Sequence, residues 1–249
     1  MQNEVMENLI SRKSVRAYTD RPIEPERKQA ILTAAAHAPT AGNQQLYTIL
    51  DITDQSVKDT LAKTCDNQPF ITRADLVLIF CADLQKWLDA YRCAGCEARE
   101  PGKGDLLLAV EDAVCAAQNA VTAAWSFGIG SCYIGDIMEQ YALHRELLRL
   151  PDYVYPAAML VFGYPTPQQA ARVKPARVDM KHIVHENAYR RMQESELREM
   201  LADKAGAKGF DAWLSAFCKR KYSSDFSAEM TRSAIRYLDN FTYDPDRDS

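Results

Sequence analysis

The sequence predicts an α+β fold in which helices cover a central sheet, and three observations lead there. Residues 75–82 (DLVLIFCA) are rich in β-formers and nearly continuous in apolar side chains, as a strand buried on both faces requires. Residues 47–53 (YTILDIT) and 155–163 (YPAAMLVFG) read as two further strands, scattered among a larger number of helical segments. No G-x-G-x-x-G turn opens a helix after a strand, so a Rossmann dinucleotide site is not supported.

Taken in order, residues 2–11 form a short helix with Val5, Met6, Leu9 and Ile10 on one face. Pro25 suits a first helical position, and the helix it opens ends before Pro39. After the first strand a helix is expected over 54–62, and after the central strand another over 84–92. A loop through Gly95, Pro101, Gly102 and Gly104 leads to a long alanine-rich helix over 106–126. Three glycines in residues 128–135 (GIGSCYIG) break that helix as a loop, and a helix over 138–149 follows. Pro165 and Pro167 stop the last strand. From 191 onward the chain is helical and polar, with too few apolar residues per turn for its own core. The expected organisation is therefore a main domain, 1–190, and a C-terminal helical extension, 191–249, lying on the core or on a partner subunit.

The 249 residues are 47% hydrophobic and 26% charged, an ordinary globular balance. A net charge of −4 argues against a general nucleic-acid binder. Glu4 and Glu7 interrupt the N-terminal stretch, which has no signal-peptide character. Glu111, Asp112, Gln118 and Asn119 make the apolar stretch 106–125 a core helix rather than a membrane span. Seven cysteines without framework spacing fit a reducing, cytoplasmic compartment. Cys93 and Cys96 lack a second C-x-x-C, and His182, His185 and Glu186 lack a further ligand set, so no metal site is expected.

Four clusters could carry chemistry. In an extended Arg12-Lys13-Ser14-Val15-Arg16, side chains alternate, so Arg12, Ser14 and Arg16 share a face and Lys13 takes the other. Two guanidinium forks around a hydroxyl suit a phosphate dianion, though solvated charge after a surface helix has the same composition. Pro39-Thr40-Ala41-Gly42-Asn43-Gln44-Gln45 offers three adjacent amides that could read a flat heteroaromatic ring, or form a plain polar connection. The glycines of 128–135 could let backbone approach a ligand, or make a tight turn. Lys174 and Arg177 are further cations late in the chain.

In this order, RKSVR, APTAGNQQ, Gln68 before DLVLIFCAD, GIGSCYIG, and KPAR ahead of IVHENAY resemble the FMN-dependent nitroreductase family. The match is nearest to its NADPH-preferring, flavin-reductase-like branch and spans residues 12 to about 189. The resemblance implies a three-layer fold with a central mixed sheet, and a homodimer holding FMN at the subunit interface. It places Arg12, Ser14 and Arg16, with Lys13 in the same cluster, at the phosphate and ribityl chain. Pro39, Thr40, Asn43 and Gln45 then lie near the flavin ring, and Gln68 bonds the ring's polar edge. Tyr133, Ile134 and Gly135 present backbone to the ring from the other subunit's side or the facing wall, and Lys174 or Arg177 completes the phosphate site. The implied activity is ping-pong transfer of a hydride from NADPH or NADH, through flavin N5, to a nitroaromatic, quinone or flavin. No side chain need act as nucleophile, and neither nucleic acid nor membrane is implied as a partner. An FMN-binding sensor or store without nicotinamide turnover is the alternative. Two departures stand out: Ala176 separates Pro175 from Arg177, and Asp136 follows Gly135 where relatives often carry a second glycine.

Overall fold

A computed structural model describes residues 3–246, so Gln2, the first residue of the expected N-terminal helix, lies outside the described residues. Contacts divide the chain into two compact units, Met1–Arg172 with Met230–Ser249, and Val173–Glu229.

The first unit is built on a sheet of four strands: β1 (Tyr47–Asp51), β2 (Leu76–Asp83), β3 (Gly130–Ile134) and β4 (Val154–Gly163), in the order β1-β2-β4-β3. All three pairings are antiparallel. The sheet is therefore antiparallel rather than mixed as expected; the bridge of Ser14 to Ser131, outside the strands, is parallel. Helices α1 (Glu4–Ser11), α2 (Pro25–Ala36), α3 (Gln55–Thr64), α4 (Gln85–Cys93), α5 (Lys103–Ser126), α6 (Tyr141–Leu148) and α7 (Pro167–Ala171) surround it.

Every residue of β2 is buried, and the period-2 alternation of the strand sorts its side chains between two cores. Val77, Ile79 and Cys81 face a cluster with Leu61 of α3, Ile137 and Tyr237. Leu76, Leu78 and Phe80 face a cluster with Ile31 of α2 and the alanine face of α5, Ala113 to Ala124. The result is three layers, helix on sheet on helix. The small alanines let α5 lie close to the sheet. Among the described residues α5 is the one helix long and apolar enough to span a membrane, and its alanine face is buried against the sheet.

The second unit holds α8 (Glu194–Ala205) and α9 (Phe210–Lys221). α10 (Asp225–Leu238) begins in it and continues into the first unit from Met230. The expected boundary at 191 and the observed division differ for a physical reason. Tyr237 and Phe241 are each 1% exposed in the core of the first unit, with Tyr237 edge-on to Tyr141 at 4.5 Å.

Two further expectations are corrected. Residues 130–134 are an edge strand, not part of a loop, so the sheet has a fourth strand. The prolines after β4 do more than stop it: Pro167 opens the short helix α7, capped by Thr166.

Candidate functional site

The segment 12–18 is laid across the end of the sheet by a pair of glycines. Gly130 and Gly163 are cross-strand partners. A Cβ on Gly130 would meet Val15 Cγ2 at 2.5 Å, and one on Gly163 would meet the Tyr18 ring at 2.7 Å. Those missing side chains form a slot filled by Val15 and Tyr18, both buried. Val15 N–H donates to Ser131 O at 2.9 Å, which fixes the register.

With Val15 turned inward, its neighbours turn out. Arg16 is exposed, and Arg12 and Ser14 are half-buried. All three act on one point, the Cys132 thiol in the middle of β3: burial pushes the thiol up, while Arg16, Ser14 and Arg12 pull it down. Lys13 takes the opposite direction. Its ammonium donates to the carbonyls of Ala170 and Arg172 at the end of α7, with the Ala170 bond at 2.6 Å. Arg172, which the sequence reading passed over, donates to Ser14 O at 2.6 Å.

At the far end of β3, Gln68 Nε2 donates to Cys65 O at 2.9 Å and to Asp136 Oδ2 at 3.1 Å. Gly135 leaves open space: a Cβ there would meet only Met138 Cε, 4.0 Å away. Buried His144 frames this corner, with Nδ1 at 3.0 Å from Ile137 O and Nε2 at 2.7 Å from Thr64 Oγ1. The carbonyl can only accept, so Nδ1 carries the proton and Nε2 accepts from the Thr64 hydroxyl. Tyr133 is half-buried, with its phenol pushed up to about 12 by burial, and Ile134 is in the core. The glycines of 128–135 thus do three jobs. Gly128, φ +73°, ends α5; Gly130 admits Val15; Gly135 leaves the backbone uncrowded.

The loop 38–45 is held by a residue whose role the sequence did not reveal. Asp112 of α5, 5% exposed, accepts from the Thr40 hydroxyl, from Ala41 N–H at 3.0 Å and from Leu46 N–H at 3.1 Å. Gly42, Asn43 and Gln45 all have φ between +50° and +57°, a region costly for a glutamine. Pro39, Asn43 and Gln45 are exposed and Thr40 half-buried, while Gln45 Nε2 is engaged by Ala36 O at 3.0 Å. A cleft of about 290 Å³ opens beside this loop, walled by Gln44, Leu46, Trp87 and Tyr91. Arg12, Ser14, Arg16 and Gln68 do not line it.

The structure therefore brings Arg12, Ser14, Arg16, Tyr133, Gly135 and Gln68 along one sheet edge and leaves the loop elsewhere. β1 and β3 are opposite edges, three strand spacings or about 14 Å apart. Tyr47 pairs through Ala82 to Tyr155, and Ser131 pairs with Phe162, a separation of about 23 Å along β4. Lys174 and Arg177 belong to the second unit, where Arg177 lines a cavity of about 130 Å³ with Lys181, His182 and Lys204.

The donor set along β3 fits a flavin mononucleotide: cations and a hydroxyl at one end, open space over glycine, and an amide at the other. Among the described residues, no three His, Cys, Asp or Glu side chains gather to hold a metal.

Comparison with known proteins agrees with this chemistry. The profile of the Nitroreductase family matches residues 9–164. The chain is 28% identical over 243 residues to "FMN reductase [NAD(P)H]" of Bacillus subtilis, covering 97% of this chain and 93% of that one. It is 33% identical over 193 residues to "Oxygen-insensitive NADPH nitroreductase" of Salmonella typhimurium, covering 77% of each. The solved structure of B. megaterium NfrA2 superposes with a TM-score of 0.82 at 27% identity, over 98% of this chain and all of that one.

Proposed function

The chain belongs to the nitroreductase family, and on that premise we propose that it is an FMN-dependent oxidoreductase. It passes reducing equivalents from NAD(P)H to a nitroaromatic, quinone or free flavin, by a ping-pong cycle. The observation that carries the reading is the convergence of Arg12, Ser14 and Arg16 beside Cys132, with Gln68 stationed past the other end of the same strand.

FMN, when bound, would supply the two-electron redox chemistry. The chain supplies position and field. Arg12 and Arg16 hold the phosphate with charge-assisted hydrogen bonds, and Ser14 adds a hydroxyl. Gln68 reads the polar edge of the ring, while the backbone from Tyr133 to Gly135 lines its face. No nucleophilic side chain is called for.

The active form is a homodimer in a cytoplasmic, reducing setting. Two observations support the dimer. First, Tyr47, just after the loop Pro39–Gln45, and Ser131, to which the basic segment is bridged, are about 27 Å apart across one chain's sheet, so the loop serves the site of the second copy. Second, α1 packs on α5 through polar atoms, Asn8 Nδ2 to Thr122 O at 3.2 Å and Trp125 Nε1 to Ser11 Oγ at 2.8 Å. Its apolar residues Val5, Met6, Leu9 and Ile10 face outward, as does Leu107 of α5. An apolar face of that kind is a surface for association. The seven cysteines are free thiols, in keeping with a reducing compartment.

The test is an absorption spectrum of purified protein before and after anaerobic NADPH, then after a nitroaromatic or quinone. A yellow protein that bleaches and recovers is the expected result. A yellow protein indifferent to both NADPH and NADH would make it a flavin sensor or store. A colourless chain that cannot be reconstituted with FMN would overturn the reading.

A further inference from the structure

A primary amide has two N–H donors on nitrogen and an acceptor on oxygen. Both donors of Gln68 are committed, to Cys65 O at 2.9 Å and Asp136 Oδ2 at 3.1 Å. Each partner is an acceptor, so the amide has one orientation: nitrogen inward, and Oε1 left for a ligand. Without Asp136 one N–H would be released and the amide could turn over.

We propose that Asp136 is a positioning residue that fixes Gln68 as a hydrogen-bond acceptor toward the flavin, and that its carboxylate lowers the flavin's tendency to be reduced. The first half follows from complementarity. The polar edge of oxidised flavin alternates carbonyl oxygens with a single N–H, and an outward Oε1 selects that N–H. The second half follows from charge. Reduction places negative charge on the same end of the ring, and Asp136 stands one amide away from it. Its field is already felt locally, since burial pushes the Cys65 thiol up and Asp136 and Glu139 push it further. His144 keeps the pair together, because Thr64 ends the helix before Cys65 and Ile137 follows Asp136. The inference rests on the FMN reading above.

Asn can still accept from Gln68 but carries no charge, whereas Ala does neither, so two variants separate the two effects. With purified FMN-loaded protein, flavin affinity is measured by fluorescence quenching, and the midpoint potential by equilibration with a redox dye. Asp136→Asn is expected to hold oxidised FMN within about twofold of wild type, since the accepting oxygen remains. Its preference for reduced over oxidised FMN should rise about tenfold, an upward shift of about 30 mV for a two-electron couple. Asp136→Ala should show the same upward shift and, in addition, bind oxidised FMN about tenfold more weakly. In a Gln68→Leu background that loss of affinity should vanish, because the effect runs through the amide. An unshifted potential in Asp136→Asn overturns the electrostatic half. Wild-type affinity in Asp136→Ala, or an undiminished loss in the Gln68→Leu background, overturns the positioning half. Those results would leave the FMN assignment standing, whereas a wild-type chain that takes up no FMN removes both.

Discussion

Lys13 and Arg16 belong to one basic run but answer to different partners. Lys13 is tied to two carbonyls that end α7, and Arg16 stands exposed beside Cys132. Arg16→Ala should weaken FMN binding about tenfold to a hundredfold, the worth of one charge-assisted phosphate contact. Lys13→Ala should leave FMN affinity within about threefold while lowering stability by about 1 kcal/mol. Equal loss of flavin from both would sink the assigned alternation; FMN titration and urea unfolding decide it. His144 gives a pH prediction of opposite character. Burial depresses its pKa, although its backbone contacts at Ile137 and Glu139 raise it in part. The unfolded chain therefore binds a proton near the ordinary value of about 6.5 that the folded chain resists. The stability it contributes is present above that value and is lost as pH falls through the lower, folded value. Thermal midpoints measured from pH 8 to pH 5 should fall on the acid side. His144→Gln should be less stable at pH 7 but show a shallower acid slope.

Among the elements, β3 shows why sequence and structure part company. Three glycines in eight residues look like a turn, and the strand is legible only once Val15 and Tyr18 are known to lie over Gly130 and Gly163. Those contacts are 115 and 145 positions apart in the chain, so local pattern carries no trace of them. Gly130→Ala should therefore cost about 1–3 kcal/mol by overpacking. It should also loosen FMN, because Ser14 and Arg16 move with Val15. Val15→Ala in the same chain should recover part of both, a coupling readable in a double-mutant cycle by denaturation and FMN titration. No recovery would mean that the slot is not what seats the segment. The fully buried β2, the alanine face of α5 and the proline-opened α2 were legible, because each rests on local periodicity or capping. Asp112 was legible only as a charge unsuited to a membrane span, because its partners Thr40 and Leu46 lie 72 and 66 residues away. The pairing of Gln68 with Asp136 was hidden in the same way, across 68 residues.

At the scale of the molecule, the proposed division of the site between two chains rests on the strand order β1-β2-β4-β3, which sends the basic segment and the Asp112-held loop to opposite edges. Genetics can read it. A chain damaged at Arg12 and Arg16 and a chain damaged at Asn43 and Gln45 each form homodimers with no whole site. When the two chains are unfolded together and refolded in equal amounts, about half the dimers are hybrids. Each hybrid has one doubly damaged site and one untouched site, so about a quarter of all sites should be restored. Two inactive proteins would thus complement one another in the test tube, with flavin content and turnover rising together. A mixture that stays inactive would mean that each subunit completes its own site.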